Sequence, residues 1–210
     1  MFNRVLFLSP HTDDVELSAG GTIAKFAEEN KEVHVGVFSY AEKSVKETLP
    51  KKILLNESKK SLTLLGVPFL NIHYFDFKVR NFSENRQDIL EDLIRLRNEV
   101  QPDLVFLPST SDVHQDHHTI QMEGLRAFKT FSSIFGYEHP WNNLTFTTDV
   151  FIKLNQSHVD KKIQALNCYE SQKDKPYFNP DYVASLTKVR GNQIGVAYAE
   201  AFELVRLLLG

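Results

Sequence analysis

The sequence predicts an α/β fold: a Rossmann-like, mostly parallel sheet with helices on both faces, in one domain spanning residues 1–210 with an irregular C-terminal third. Three observations lead there. Short apolar runs alternate with stretches of helical periodicity from Arg4 to Phe131, the order expected of parallel strands joined by crossover helices. Each apolar run stops sharply at a Pro or a polar cluster. A chain of 210 residues with 42% hydrophobic content and 16 Phe has ample core material, and 24% charged residues is ordinary for a globular chain.

Arg4 to Leu8 is an apolar run ended by Ser9-Pro10 and reads as a buried strand, because Pro10 cannot extend a central ladder. Glu16 to Asn30 carries Leu17, Ile23, Ala24, Phe26 and Ala27 at helical spacing. Gly20 and Gly21 inside that helix weaken it by about 1 kcal/mol each relative to Ala, which points to close packing there or to close approach of a ligand. Val33 to Ser39 reads as a second strand, Lys51 to Leu65 as a helix closed by Gly66, and Asn71 to Phe75 as a third strand. Gln87 to Glu99 places Ile89, Leu90, Leu93, Ile94 and Leu96 on one side and ends before Pro102; Leu104 to Leu107 follows as a fourth strand stopped by Pro108. Thr119 to Phe131 reads as a further helix, after which the pattern loosens. Val150 to Leu154 fits a strand, Val159 to Tyr169 a helix introduced by Ser157, Pro180 to Lys188 another helix, and Ala197 to Leu209 either a strand or a helix.

With 24 Lys plus Arg against 27 Asp plus Glu the chain carries a formal charge of −3, so there is no global field for nucleic acid or an anionic membrane. A lysine group at Lys51, Lys52, Lys59 and Lys60 reads as a solvated helix face. No apolar run approaches the ~18 residues of a membrane span, and the start of the chain lacks a signal-type apolar core. A cytoplasmic protein is the default expectation. The single Cys168 rules out a thiolate-rich zinc site, so any metal must be held by the eight His and the carboxylates.

Two loops concentrate the chemistry: Ser9 to Glu16 after strand one, and Ser111 to His118 after strand four. A strand order of 3-2-1-4 makes these strands neighbours at the topological switch point, where such folds bind ligands. Together the loops supply His11, Asp13, Asp14, His114, Asp116, His117 and His118, more titratable density than a structural loop needs. A divalent metal explains the clustering. Nitrogen and oxygen donors with an open position make Zn2+ the first expectation, and Fe2+, Mn2+ or Co2+ tolerate similar ligands. Taken singly, Asp13 or Asp14 reads as a helix cap, His118 as a bystander, and Asp112 as a cap or a supporting partner. His34 and His73 read as packing or surface residues and His158 as serving a helix end; the aromatic stretch Phe135, Tyr137, His139 and Trp141 could wall a sugar pocket but at this density reads as core.

His11-Thr12-Asp13-Asp14-Val15-Glu16 followed by Gly20-Gly21, with His114-Gln115-Asp116-His117 downstream, resembles the LmbE/PIG-L-type zinc de-N-acetylases. Tyr169-Glu170-Ser171-Gln172, Arg190-Gly191 and Tyr198-Ala199-Glu200-Ala201-Phe202 extend the resemblance to the tail. It implies that His11, Asp14 and His117 ligate the metal, that Asp13 is the general base, and that His114 stabilises the oxyanion or protonates the leaving amine, with Asp116 orienting His114. It also implies a small N-acetyl amino sugar substrate containing N-acetylglucosamine and is compatible with a homo-oligomer, with neither nucleic acid nor membrane as a partner. Thr12 and Gln115 stand where the family often has Pro, and Lys51, Lys52 and Asn56 precede Glu57 where relatives often place an Arg. Two rival readings follow from the residues. Asp116-His117-His118 spells the signature of a DHH-type metal-dependent phosphoesterase, whose first motif normally separates its carboxylates. The Ser18 to Thr22 segment could instead cradle phosphate at a helix start in a nucleotide-binding module, although G-x-G-x-x-G spacing is missing.

Overall fold

The computed structural model describes residues 2–209. In chain order it runs β1 (Arg4–Ser9), α1 (Asp14–Glu28), β2 (Glu32–Val37), α2 (Ile53–Leu64), β3 (Ile72–Tyr74), α3 (Arg86–Val100), β4 (Leu104–Pro108), α4 (Gln115–Phe128), β5 (Ser133–Tyr137), β6 (Val150–Leu154), α5 (Gln156–Leu166), α6 (Pro180–Gln193) and β7 (Tyr198–Arg206). The strands form one sheet in the order β3-β2-β1-β4-β5-β7-β6. The first five are parallel, with Val5 beside Val33 on one side and Leu104 on the other; β7 runs antiparallel to both β5 and β6. No helix among the described residues is long and apolar enough to cross a membrane.

Alternation along β1 divides the core. Val5 and Phe7 face α1 and α2 with Ile23, Leu62 and Leu65, whereas Leu6 and Leu8 face α3 and α4 with Leu93, Leu96, Ile120 and Phe128. Both faces of the sheet are therefore covered, which is why its strands read as continuous apolar runs. The α3 stripe of Ile89, Leu90, Leu93, Leu96 and Val100 is buried, and the helix ends where Gln101 turns left-handed at φ 48° ahead of Pro102.

Three elements depart from the sequence reading. α4 begins at Gln115 and not at Thr119, because His114 caps it by accepting from the Asp116 N–H. α5 begins at Gln156 after an Asn155 cap, with His158 closing a capping box, so Ser157 lies inside the helix. β5 occupies the segment where the pattern loosens; all five of its residues are buried, and its Gly136 admits no side chain because a Cβ would sit 2.9 Å from the Ser109 Cα. The tail from Tyr198 is a strand, and the last third holds β6, α5, α6 and β7, with two short 3-10 turns between α5 and α6.

This C-terminal part explains the paired glycines. α1 breaks at Ala19, whose φ of −127° leaves helical space, and restarts at Gly20 with free amides. The Glu200 carboxylate of β7 accepts from Gly21 N–H at 3.0 Å and Thr22 N–H at 2.7 Å, and Lys162 of α5 pairs with it at 2.7 Å. A Cβ at Gly21 would lie 2.5 Å from Leu154 Cδ1, and one at Gly20 would lie 2.9 Å from Lys162 Cγ. Packing therefore dictates the glycines. The anion-binding amides are already occupied by the protein's own carboxylate, which removes the phosphate-cradle reading.

Lys162 and Glu200 are almost fully buried, and deleting one member of such a pair strands the other charge. Glu200→Ala is expected to cost about 3–5 kcal/mol in urea denaturation. The double variant Lys162→Met/Glu200→Gln should recover part of that loss, since no lone charge is then buried.

Candidate metal centre and active site

The β1–α1 and β4–α4 loops meet over the carboxyl ends of adjacent parallel strands, as the predicted strand order requires. His11 Nδ1 lies 3.0 Å from Asp14 Oδ2, His117 Nε2 lies 3.3 Å from the same oxygen, and the two nitrogens are 3.3 Å apart. Ligand atoms placed about 2.0–2.1 Å from a tetrahedral ion stand about 3.3 Å from one another. These three atoms therefore have the spacing a divalent cation needs. Asp14, His117 and His139, and likewise His11, His114 and His117, also bring ligand atoms within 4.8 Å of one another.

The outer nitrogen of each inner histidine is held by a carboxylate of the second loop. Asp116 Oδ2 lies 3.0 Å from His11 Nε2, and Asp112 Oδ2 lies 2.7 Å from His117 Nδ1. Such carboxylates fix the tautomer that turns the opposite nitrogen's lone pair toward a metal. Burial disfavours charge on His117, but Asp14 and Asp112 outweigh it and hold the imidazole up at about 10. The Asp14 carboxyl lies well below the usual carboxylate range, because His117 and His11 overcome its desolvation. Without a cation the cluster thus stores positive charge as protons, which a metal displaces on binding.

Asp13 makes no capping hydrogen bond at the start of α1. It lines a cavity of about 200 Å3 together with His11, Arg80, His114, Gln172 and Lys175. Burial and the adjacent Asp14 raise its pKa, with Lys175 opposing them. His114 lines the same cavity. Burial and its two histidine neighbours depress it to about 4, so it is neutral near pH 7. Its Nδ1 accepts from the Asp116 N–H at 3.2 Å, which leaves the proton on Nε2.

Asp116 departs from its expected place. Its fully buried carboxylate does not orient the His114 ring; besides His11 it accepts from Arg80 N–H at 2.6 Å and Phe82 N–H at 3.3 Å, and only its backbone N–H reaches His114. The physical reason is the loop at Arg80, where a left-handed φ of 68° costs about 1–3 kcal/mol and needs a compensating acceptor. Asp112, read from sequence as a cap or a supporting partner, is the partner: Oδ1 accepts from the His114 N–H at 2.8 Å and Oδ2 holds His117, while the cap of α4 is His114. His118 is exposed on α4, away from the cluster.

His139 is the polar residue that the sequence reading missed. Fully buried after β5, it places Nε2 3.1 Å from the Asp14 carbonyl oxygen and Nδ1 3.5 Å from Asp112 Oδ2, with Trp141 packed beside it and stacked on Tyr177. The available signal was topological: a helix after strand four calls for a fifth strand, whose carboxyl end also faces the crevice.

A doubly wound α/β protein with a cation-sized His/Asp cluster at its switch point is what the fold and the site define. The family profile described as "PIG-L: GlcNAc-PI de-N-acetylase" matches residues 6–128, and the chain belongs to that family. It is 25% identical over 172 residues to the "Uncharacterized deacetylase YaiS" of Escherichia coli K12, covering 80% of this chain and 90% of the relative. Its backbone is similar to that of the N,N'-diacetylchitobiose deacetylase from Pyrococcus horikoshii, with a TM-score of 0.81 and 22% identity over 98% of this chain and 84% of the other. It is equally similar to GalB, the 4-carboxy-2-hydroxymuconate hydratase of Pseudomonas putida KT2440, with a TM-score of 0.82 and 21% identity over 99% and 98% of the two chains. At these identities the two structures speak to the fold alone.

A buried carboxyl beneath the site has its own pH dependence. Tyr169 Oη contacts both the Thr12 carbonyl oxygen and Glu16 Oε1. The phenol donates to the Glu16 carboxyl, which lies wholly buried beneath the site. Burial pushes the Glu16 pKa up to about 8, with the Tyr169 hydrogen bond opposing the shift. Between the ordinary 4.5 and about 8 the folded state holds the extra proton, so this stabilisation is complete below 4.5 and is lost as pH rises through 8. Glu16→Gln keeps the Oε1 acceptor without the titration. The stability gap between this variant and wild type is expected to grow in the variant's favour by on the order of 1 kcal/mol per pH unit across that window, read from denaturation midpoints.

Proposed function

We propose that this chain is a divalent-metal-dependent N-deacetylase that removes the acetyl group from a small N-acetylated amino sugar containing N-acetylglucosamine, releasing acetate and a free amine. Membership of a de-N-acetylase family supports the reaction class. The observation that carries the reading is Asp13, a carboxylate with no capping bond that faces the cavity beside the His11, Asp14 and His117 cluster.

His11 Nδ1, Asp14 Oδ2 and His117 Nε2 would hold the cation, with Zn2+ the first choice and Fe2+, Mn2+ or Co2+ compatible with the same donors. When bound, it supplies Lewis acidity that polarises an amide carbonyl and acidifies water. The remaining work falls to the chain. Asp13 takes the proton of the attacking water on its carboxylate, and its raised affinity suits it to return that proton to the departing amine nitrogen. His114, neutral with its proton on Nε2, donates a hydrogen bond to the oxygen that gains charge. Asp116 positions both histidines, His114 through its N–H and His11 through its carboxylate. The cavity is smaller than the roughly 300–1,000 Å3 that holds a drug-sized ligand, which suits a single sugar ring. Arg80 and Lys175 on its wall offer donors to sugar hydroxyls.

The phosphoesterase alternative is not favoured. The family profile covers both loops, His118 points to solvent, and the Asp116 carboxylate is spent on His11 and two amides. The likeness to GalB shows that one backbone serves different chemistries, so the reaction must be tested at the site.

Metal-loaded protein incubated with a panel of N-acetylglucosamine conjugates and nucleotide sugars is expected to release free amine. Asp13→Asn should keep its metal and lose turnover by about 10²–10⁴-fold, the usual worth of a general base. Wild-type turnover in Asp13→Asn at equal metal content would show that the base is another residue.

A further inference from the structure

His34 of β2 and His73 of β3 read from sequence as packing residues, yet they meet nitrogen to nitrogen at the sheet edge. His34 Nδ1 lies 3.2 Å from His73 Nε2, with the rings near parallel at 21°. Each outer nitrogen faces a carboxylate: His34 Nε2 is 3.0 Å from Glu32 Oε1, and His73 Nδ1 is 3.8 Å from Glu99 Oε1. The row runs carboxylate, imidazole, imidazole, carboxylate, with both rings largely shielded and both carboxylates mostly exposed.

Proton counting shows what the row lacks. It has two close gaps, of 3.0 and 3.2 Å, and a third of 3.8 Å at Glu99 that is too long for a direct hydrogen bond. Two neutral imidazoles bring one proton apiece. With both protons on the outer nitrogens, toward Glu32 and Glu99, the two inner lone pairs face the central gap. One cation at the central gap answers both inner lone pairs, with one outer proton bonded to Glu32 and the other turned toward Glu99.

We propose that His34 Nδ1 and His73 Nε2 form a second metal site, for an imidazole-binding divalent transition cation such as Zn2+ or Cu2+. The 3.2 Å separation matches the bite of about 3.3 Å between two ligands of a tetrahedral ion. The Glu32 carboxylate plays the part that Asp116 and Asp112 play at the candidate centre, holding the outer nitrogen of His34, while Glu99 faces that of His73 at 3.8 Å. Two protein ligands, with water completing the shell, bind more weakly than the three of the candidate centre. β3 has three residues and pairs only with β2 among the described strands. An ion bridging the two histidines therefore pins the edge of the sheet, and its effect is on stability.

Calorimetric titration of metal-stripped protein with Zn2+ at pH 7.5 tests this directly. Wild type is expected to take up two ions of unequal affinity. His73→Asn and His34→Asn should each lose the weaker one and keep deacetylase activity at one equivalent. His11→Ala/His117→Ala should retain only the weaker ion and still gain thermal stability from it, a gain that adding His73→Asn abolishes. A measurement that needs no variant is the electron paramagnetic resonance of wild type at the second equivalent of Cu2+, where two imidazole nitrogens should couple to the ion. Uptake of a single ion by wild type, survival of the weaker ion in both His variants, or a second Cu2+ signal without nitrogen coupling overturns the proposal.

Discussion

The contact on which the site depends is the one between Asp116 and His11. Asp116 is fully buried at the start of α4, and its carboxylate reaches across to the β1 loop to hold His11 Nε2 while accepting from the amides of Arg80 and Phe82. Three loops that follow different strands are thereby tied to one side chain. A buried carboxylate left without these donors would be costly, so the loops and the anion enforce one another. The arrangement aims His11 Nδ1 at Asp14 and holds a left-handed Arg80 at the cavity wall.

The C-terminal third acts as a buttress for the same region. α1 begins with the Asp13 and Asp14 pair and breaks one turn later at Ala19. The restart is secured from behind by Glu200 of β7 and Lys162 of α5, and the first turn is secured by Tyr169 through Thr12 and Glu16. Segments that supply no ligand thus fix the direction in which the ligands point. Tyr169, Gly20, Gly21 and Glu200, far apart in sequence, all serve to brace α1.

Much of this was legible in the sequence because the determining forces are local. The strands through β4 and the helices between them follow from apolar periodicity and from Pro and Gly stops, and the two polar loops follow from residue type and spacing. What escaped depends on contacts distant in sequence. β5 is short and interrupted by Gly136, whose absent side chain makes sense only against Ser109 and Glu203. His139 is buried between Asp14 and Asp112, partners 125 and 27 residues away along the chain (139 − 14 and 139 − 112). The carboxylate of Asp116 turned to His11 and not to His114 because the Arg80 loop needed an acceptor, a demand set by one backbone angle that spacing alone does not reveal. The His34 and His73 pair is invisible until the strand register sets Gly36 beside His73.

The central claim is that His11, Asp14 and His117 converge to hold one divalent ion at the switch point. The most direct measurement is an anomalous difference map of metal-loaded crystals, recorded at the zinc absorption edge. The account requires its strongest peak within about 2.0–2.2 Å of His11 Nδ1, Asp14 Oδ2 and His117 Nε2. A strongest peak on Asp116 and His11 Nε2, or one away from these loops altogether, would contradict it.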